Sequence, residues 1–157
     1  MRIPALPFLL AAVLLTACDK APTPTTAPAA AATPASTASS APTCPAEQFD
    51  RFLPLFENDV AIQKAYVTDP LQSDSVDPNA DPEPKPVSKS LARAEVAFPV
   101  MPSQADQTKD GLVATQTVSG PTEIAVKLVK PDTDYQTTFF FRKDDCWHLY
   151  RVKDDSL

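Results

Sequence analysis

Glycine is nearly missing: the chain has two in 157 residues. Phosphate-cradling loops and dinucleotide fingerprints need several glycines, because the backbone itself must approach the phosphates. That chemistry is excluded, and no cofactor is expected. Histidine occurs once, at His148, and the three cysteines, Cys18, Cys44 and Cys146, contain no Cys-x-x-Cys spacing. The spacing therefore supplies neither a metal-ligand cluster nor a dithiol redox pair. A Gly-x-Ser-x-Gly nucleophile elbow is also absent, which removes the commonest serine-hydrolase signature. Positive charge is in deficit, with 14 Lys and Arg against 20 Asp and Glu and a net charge of −6. An acidic body of this kind argues against nucleic acid or anionic lipid headgroups as a partner. Apolar runs are short as well: the longest, Ile3 to Ala17, carries Pro4 and Pro7 and is followed by Asp19 and Lys20, whereas a span needs about 20 apolar residues.

What that first run does resemble is an export signal. Arg2 and the initiator amine give a positive start, and the apolar stretch follows at once. It ends in Leu15-Thr16-Ala17-Cys18, which resembles the lipobox of bacterial lipoproteins. The resemblance implies that the Cys18 thiol accepts a diacylglycerol, that the peptide is cut just before it, and that the freed amine is acylated with a fatty acid such as palmitate. Each buried methylene contributes about 0.8 kcal/mol, and more than one chain makes an anchor stable. Asp19 resembles the enterobacterial retention signal for the inner membrane, so the expected location is the periplasmic face of that membrane, with the outer membrane as the alternative. The partner on that side is the membrane, through the lipid on Cys18.

Proline, by contrast, is abundant, at 18 residues. Many fall in APTPTTAPAAAATPASTASSAPT, residues 21–43, which contains only Ala, Pro, Thr and Ser. Such a segment cannot bury enough apolar surface to offset its ordering entropy. It reads as a tether with an extended limit of roughly 70 Å. The organisation expected is a signal peptide at 1–17, the lipidated Cys with its tether at 18–43, and one small domain at 44–157 with a mobile acidic loop at 72–90. With Cys18 taken by lipid, Cys44 and Cys146 are left in an oxidising compartment and are expected to pair.

Within the domain, Phe49, Phe52, Leu53, Phe56 and Val60 recur at helical spacing. Pro54 predicts a break near Leu53, and Asn58 or Asp59 a cap for a second short helix. At the other end GLVATQTV, TEIAVKLVK, YQTTFFFRK and CWHLYRV are β-branched and aromatic, separated by turn residues. They predict an antiparallel meander. In QSDSVDPNADPEPKPVSKS, residues 72–90, Asp77, Asn79, Asp81 and Glu83 have the alternation that opens a calcium loop, but Pro82 stands where such a loop needs Gly and Ser88 where it needs Glu. No metal site is expected. SLARAEVAFPV, residues 90–100, is taken as a further strand from the alternation of Ala94, Val96, Phe98 and Val100.

The order of helix with Phe repeats, short second helix, Pro70-Leu71, Phe98-Pro99 and a meander ending in CWHLYRVKD resembles a group of small bacterial lipoproteins of uncharacterised function, which look like the cystatin-like roll shared with nuclear transport factor 2. The fold class expected is α+β: a helix or kinked helix pair packed on a curved antiparallel sheet of four to five strands. The resemblance brings no catalytic set. In that roll a cone-shaped pocket can form between helices and sheet. Strand alternation puts Cys146, His148 and Tyr150 on one face and Trp147, Leu149 and Arg151 on the other, so a core Trp147 and Leu149 would turn His148 away from it.

The function expected is a lipid-anchored periplasmic module that binds a protein partner and is not an enzyme. One version is an immunity-type inhibitor of a secreted antibacterial toxin. The alternative is a small roll-fold enzyme or ligand carrier whose cone pocket uses His148 and Tyr150. A deep apolar pocket favours the second reading and a filled cone favours the first.

Overall fold

A computed structural model describes residues 43–157. The expectations that rest on Leu15–Cys18, on Asp19 and on the tether lie outside the described residues. No helix among those described is long and apolar enough to cross a membrane.

The chain begins with helix α1 (Phe49–Asn58), which buries Phe49, Phe52, Leu53 and Phe56 along one side, the i, i+3, i+4, i+7 spacing of an amphipathic helix. The break expected at Leu53 does not occur. Pro54 sits inside a continuous helix; the hydrogen bond it cannot make is the one to the carbonyl of Asp50, an exposed position that water can serve. The interruption comes five residues later. Asp59 is extended (φ −130°, ψ 111°), and its side chain accepts from the Ala61 amide at 2.7 Å, capping helix α2 (Val60–Tyr66).

Strands β1 (Val67–Asp77) and β2 (Lys85–Leu91) follow. They correct two expectations. Residues 72–90 are mostly an antiparallel hairpin, paired from Leu71↔Leu91 to Asp77↔Lys85, and only its turn keeps the acidic, Pro-rich character. Alternating polar Ser, Asp and Lys conceal a strand that lies near a sheet edge, where little burial is demanded of it. The strand expected at 90–100 is instead the end of β2 and a single 3-10 turn, Arg93–Glu95. Arg93 fastens that turn to the last turn of α2 through the Lys64 carbonyl and to the start of β1 through the Val67 carbonyl at 2.9 Å.

Beyond Pro99 and Pro102 a short helix, α3 (Gln104–Asp110), is capped by Ser103, whose hydroxyl accepts from the Asp106 amide at 3.1 Å. Gly111 ends it with φ 69°, the left-handed conformation that Cβ disfavours. The four remaining strands are β3 (Val113–Gly120), β4 (Glu123–Val129), β5 (Gln136–Lys143) and β6 (Trp147–Asp154), at the places the alternating runs predict.

The sheet has six strands in the order β2-β1-β6-β5-β4-β3, more than the four to five expected. It is mixed rather than wholly antiparallel, because β1 runs parallel to β6. That pairing is interrupted between Val67↔Leu149 and Gln72↔Arg151, where Pro70 has no amide to give the ladder. The helices cover one face of the central strands. Phe49 meets Phe141 and Trp147 edge-on at 5.2 and 4.9 Å, Phe56 meets Phe141 at 5.2 Å, and Phe52 meets Tyr66 at 5.8 Å. Each such ring contributes about 1.5–3 kcal/mol by burial, and favourable edge contacts add about 0.5–1.5 kcal/mol. Cys44 and Cys146 are disulfide-bonded across 102 residues, which ties the entry to α1 to the start of β6.

Two stability effects follow from this core. Phe141→Ala removes the ring on which Phe49, Phe52 and Phe56 converge and is expected to cost about 3–5 kcal/mol in chemical denaturation. Reduction of the disulfide releases a long loop and is expected to cost about 2–5 kcal/mol; a denaturation midpoint unchanged by reductant contradicts this.

Candidate functional site on the outer sheet face

The residues singled out in CWHLYRV fall on β6, and their arrangement turns on one irregularity. Phe141 pairs with Leu149 and Phe140 with Arg151, so Tyr150 is an extra residue in the ladder. A bulge of this kind places two successive side chains on one face. Trp147 and Leu149 are buried against the helices, as the alternation requires, and His148 lies on the other side with Tyr150. Arg151, expected beside Trp147 and Leu149, is carried by the bulge to the outer face. There its guanidinium lies 5.0 Å over the Phe140 ring and 2.5 Å from an Asp74 carboxylate oxygen.

The outer face is thus built from β1, β5 and β6. Phe140 and Tyr150 lie 6.4 Å apart, Arg142 is 5.2 Å over the Tyr150 ring, and Arg151 bridges to Asp74. A shallow cleft of about 410 Å³ opens beside them, lined by Thr68, Asp69, Pro70, Gln72, Ser90, Arg142 and Tyr150. Tyr150 belongs to this cleft; His148 does not. The imidazole stacks 5.5 Å from Tyr66, and Nδ1 is 3.0 Å from the Cys146 carbonyl. A carbonyl only accepts, so Nδ1 carries the proton in that contact. The two residues of the expected pocket are neighbours on a strand but do not converge on one point.

The titratable groups have clear physical roles. Burial raises the Tyr150 hydroxyl above its ordinary range, and the nearby Glu123 carboxylate pushes the same way against Arg151 and Arg142. Tyr150 is therefore a neutral phenol, suited to contact and hydrogen bonding rather than to proton abstraction near neutrality. Asp74 is 7% exposed. Burial alone would raise its carboxyl, but hydrogen bonds from Ser88, Arg151 and Gln72, with the Arg151 charge, outweigh it and hold it below the usual range. Neither Asp74 nor its bridge to Arg151 was foreseeable, since one lay in an expected loop and the other on the expected core side.

A second polar site is structural. Glu57 is 5% exposed; it accepts from Gln107 Nε2 at 3.0 Å through one oxygen, while the other has no partner among the described residues. Burial raises its carboxyl, with Gln107 and Gln104 opposing. Gln63 is fully buried and pins the segment before α3, donating to the Met101 carbonyl at 2.8 Å and accepting from the Val100 amide at 2.7 Å. No group of three or more His, Cys, Asp or Glu among the described residues is placed to hold a metal ion.

This arrangement is similar to that of an NTF2-like protein from Bacteroides fragilis NCTC 9343, with a TM-score of 0.53 and 20% sequence identity over 71% of this chain. The fold is NTF2-like. The aligned region spans 48% of that protein, and at this identity the likeness carries the fold alone. NTF2-like folds include both enzymes and non-enzymes. No protein-family model matches the chain, and no curated protein matches it.

The opposite shifts of Glu57 and Asp74 set a pH dependence. Glu57 has a raised carboxyl in the folded state, so its contribution is complete below the ordinary 4.5 and is lost as pH rises through the raised value. Glu57→Gln is expected to remove that decline, gaining stability over the wild type near pH 7 and none near pH 4, as read by urea midpoints at both pH values. Asp74 is lowered from 3.8, so its contribution is present above that value and lost as pH falls through the lower one. Asp74→Ala leaves the Arg151 guanidinium without its partner and is expected to cost about 1–3 kcal/mol at pH 7, with the difference from wild type shrinking toward pH 2.

Proposed function

We propose that this chain is a non-catalytic binding module, held at the periplasmic face of the cell envelope by lipid on Cys18, that takes a protein partner on the outer face of its sheet. The observation that carries the reading is the occupied interior. Phe49, Phe52 and Phe56 fill the space between α1 and the sheet, where an NTF2-like enzyme or carrier would keep its chamber. Phe52, Phe56 and Phe141 are each 0% exposed. His148 and Tyr150 are on the far side of the sheet from that space, which removes support from a cone-pocket enzyme built on them.

The outer face has the composition of a protein-contact surface instead. Tyr and Arg dominate interface hot spots because each combines a large, stiff contact area with directed hydrogen bonds. Here Tyr150 and Arg142 flank the cleft, with Phe140 and Arg151 stacked behind them. An immunity-type role, guarding the periplasm against a secreted toxin, fits a permanently anchored inhibitor that works by contact alone.

The test is capture with the full chain from periplasm and from secretions of competing bacteria, run in parallel with a Tyr150→Ala, Arg142→Glu variant. A partner retained by the unaltered chain and lost by the outer-face variant is the expected result. A partner held equally by both, or turnover of a small substrate that depends on His148, contradicts the proposal.

A further inference from the structure

The two edges of the sheet differ in a way the proposed function does not use. Strand β2, one edge, carries Lys85, Pro86 and Lys89, the charges and proline by which natural sheets discourage strand addition. Strand β3, the opposite edge, has the sequence VATQTVSG, and no charged residue occurs anywhere from Gly111 to Thr122. It pairs only with β4. Residues 113–119 are exposed on both of its faces, including Val113 at 49% and Val118 at 70%. A neutral, unguarded edge of this length is a template for another extended backbone.

We propose that β3 is a homodimer contact, at which a second copy of this chain adds its own β3 antiparallel to form one continuous twelve-stranded sheet. Charge permits this occupant, and self-complementary side chains select it. Each copy carries a net −6, and β3 is the sheet edge where two copies meet with no charged side chain on either strand. The side chains also match. A two-fold axis at Gln116, near the middle of the regularly paired stretch Val113–Val118, sets Thr115 opposite Thr117 of the second copy and Ala114 opposite Val118, each pair occurring twice. Thr–Thr pairs and small-against-branched pairs are favourable neighbours across antiparallel strands. The guarded β2 edges then lie outermost, so growth stops at two copies rather than continuing into a fibre. An edge contact alone buries less than the roughly 1,200 Å² of a standard interface, so the association is concentration-dependent.

The test is cysteine cross-linking of the full chain in the cells that make it, read on non-reducing gels against the unaltered chain as background. Residues directly opposite in antiparallel strands have Cα atoms roughly 4.5–5.5 Å apart, within disulfide range. Gln116→Cys is therefore expected to give a covalent dimer. Val118→Cys, although highly exposed, is offset from its own copy and is expected to give none unless Ala114→Cys is co-expressed. A second measurement adds no thiol: the purified full chain in detergent is expected to dimerise, and Gln116→Lys, which faces two like charges across the axis, to weaken dimerisation several-fold. Equal cross-linking at 116 and 118, no cross-linking at 116, or an unaltered chain that stays monomeric at every concentration overturns the proposal. None of these results depends on the outer-face partner, whose loss in the Tyr150→Ala, Arg142→Glu variant is scored separately.

Discussion

The convergence of three phenylalanines from one helix on a single ring of the sheet is the constraint on which the rest of this structure depends. Phe49, Phe52 and Phe56 all lie within about 6 Å of Phe141, ring centre to ring centre. Their spacing along α1 makes one stripe, and that stripe fits a sheet whose inward residues are Val126, Leu128, Phe139, Phe141 and Leu149. Because a protein interior packs at crystal-like density, a helix that places rings there leaves no chamber for a ligand. The same fold architecture that elsewhere encloses a pocket here encloses side chains, and under the proposed function recognition falls to the outside of the sheet.

The outer surface acquires its character from a single inserted residue. Without the bulge at Tyr150, Arg151 would face the core beside Leu149, where an unpaired guanidinium is far too costly to bury. With it, Arg151 reaches Asp74 on β1 and stacks on Phe140, and Val152 returns to the core side. The one parallel strand pair in the sheet is thus bridged by a charged hydrogen bond. Arg142, which also pairs with Asp144 at 3.5 Å, and Tyr150 line the neighbouring cleft.

The parts of the fold legible in the sequence were those where burial is one-sided and continuous. The stripe of α1 and the alternation of β4 to β6 were of this kind, while β3, exposed on both faces, is marked only by its β-branched residues between turns; the pairing of Cys44 with Cys146, which the described structure contains, follows from the cysteine count. The hairpin β1–β2 was not. Its residues are mostly exposed, so no hydrophobic period marks it, and Pro70, Pro78, Pro82, Pro84 and Pro86 read as punctuation for a loop. Pro54 misled in the opposite sense, because a proline at a solvated helix position costs less than one facing the core. At the site, a bulge leaves no trace in the pattern of residue types, so simple alternation along β6 sets Arg151 with Trp147 and Leu149, whereas the structure turns it to the outer face. Asp74, Glu57 and Gln63 have no local signature, since apart from Gln72 beside Asp74 their partners lie 14 to 77 positions away.

The central claim, that the space between α1 and the sheet is filled, is tested most directly by xenon pressurisation of crystals, since xenon enters dry apolar cavities of the size left by a deleted ring. No xenon is expected beneath α1 in the unaltered protein, and an ordered xenon is expected there in Phe52→Ala. A xenon site beneath α1 in the unaltered protein would contradict it.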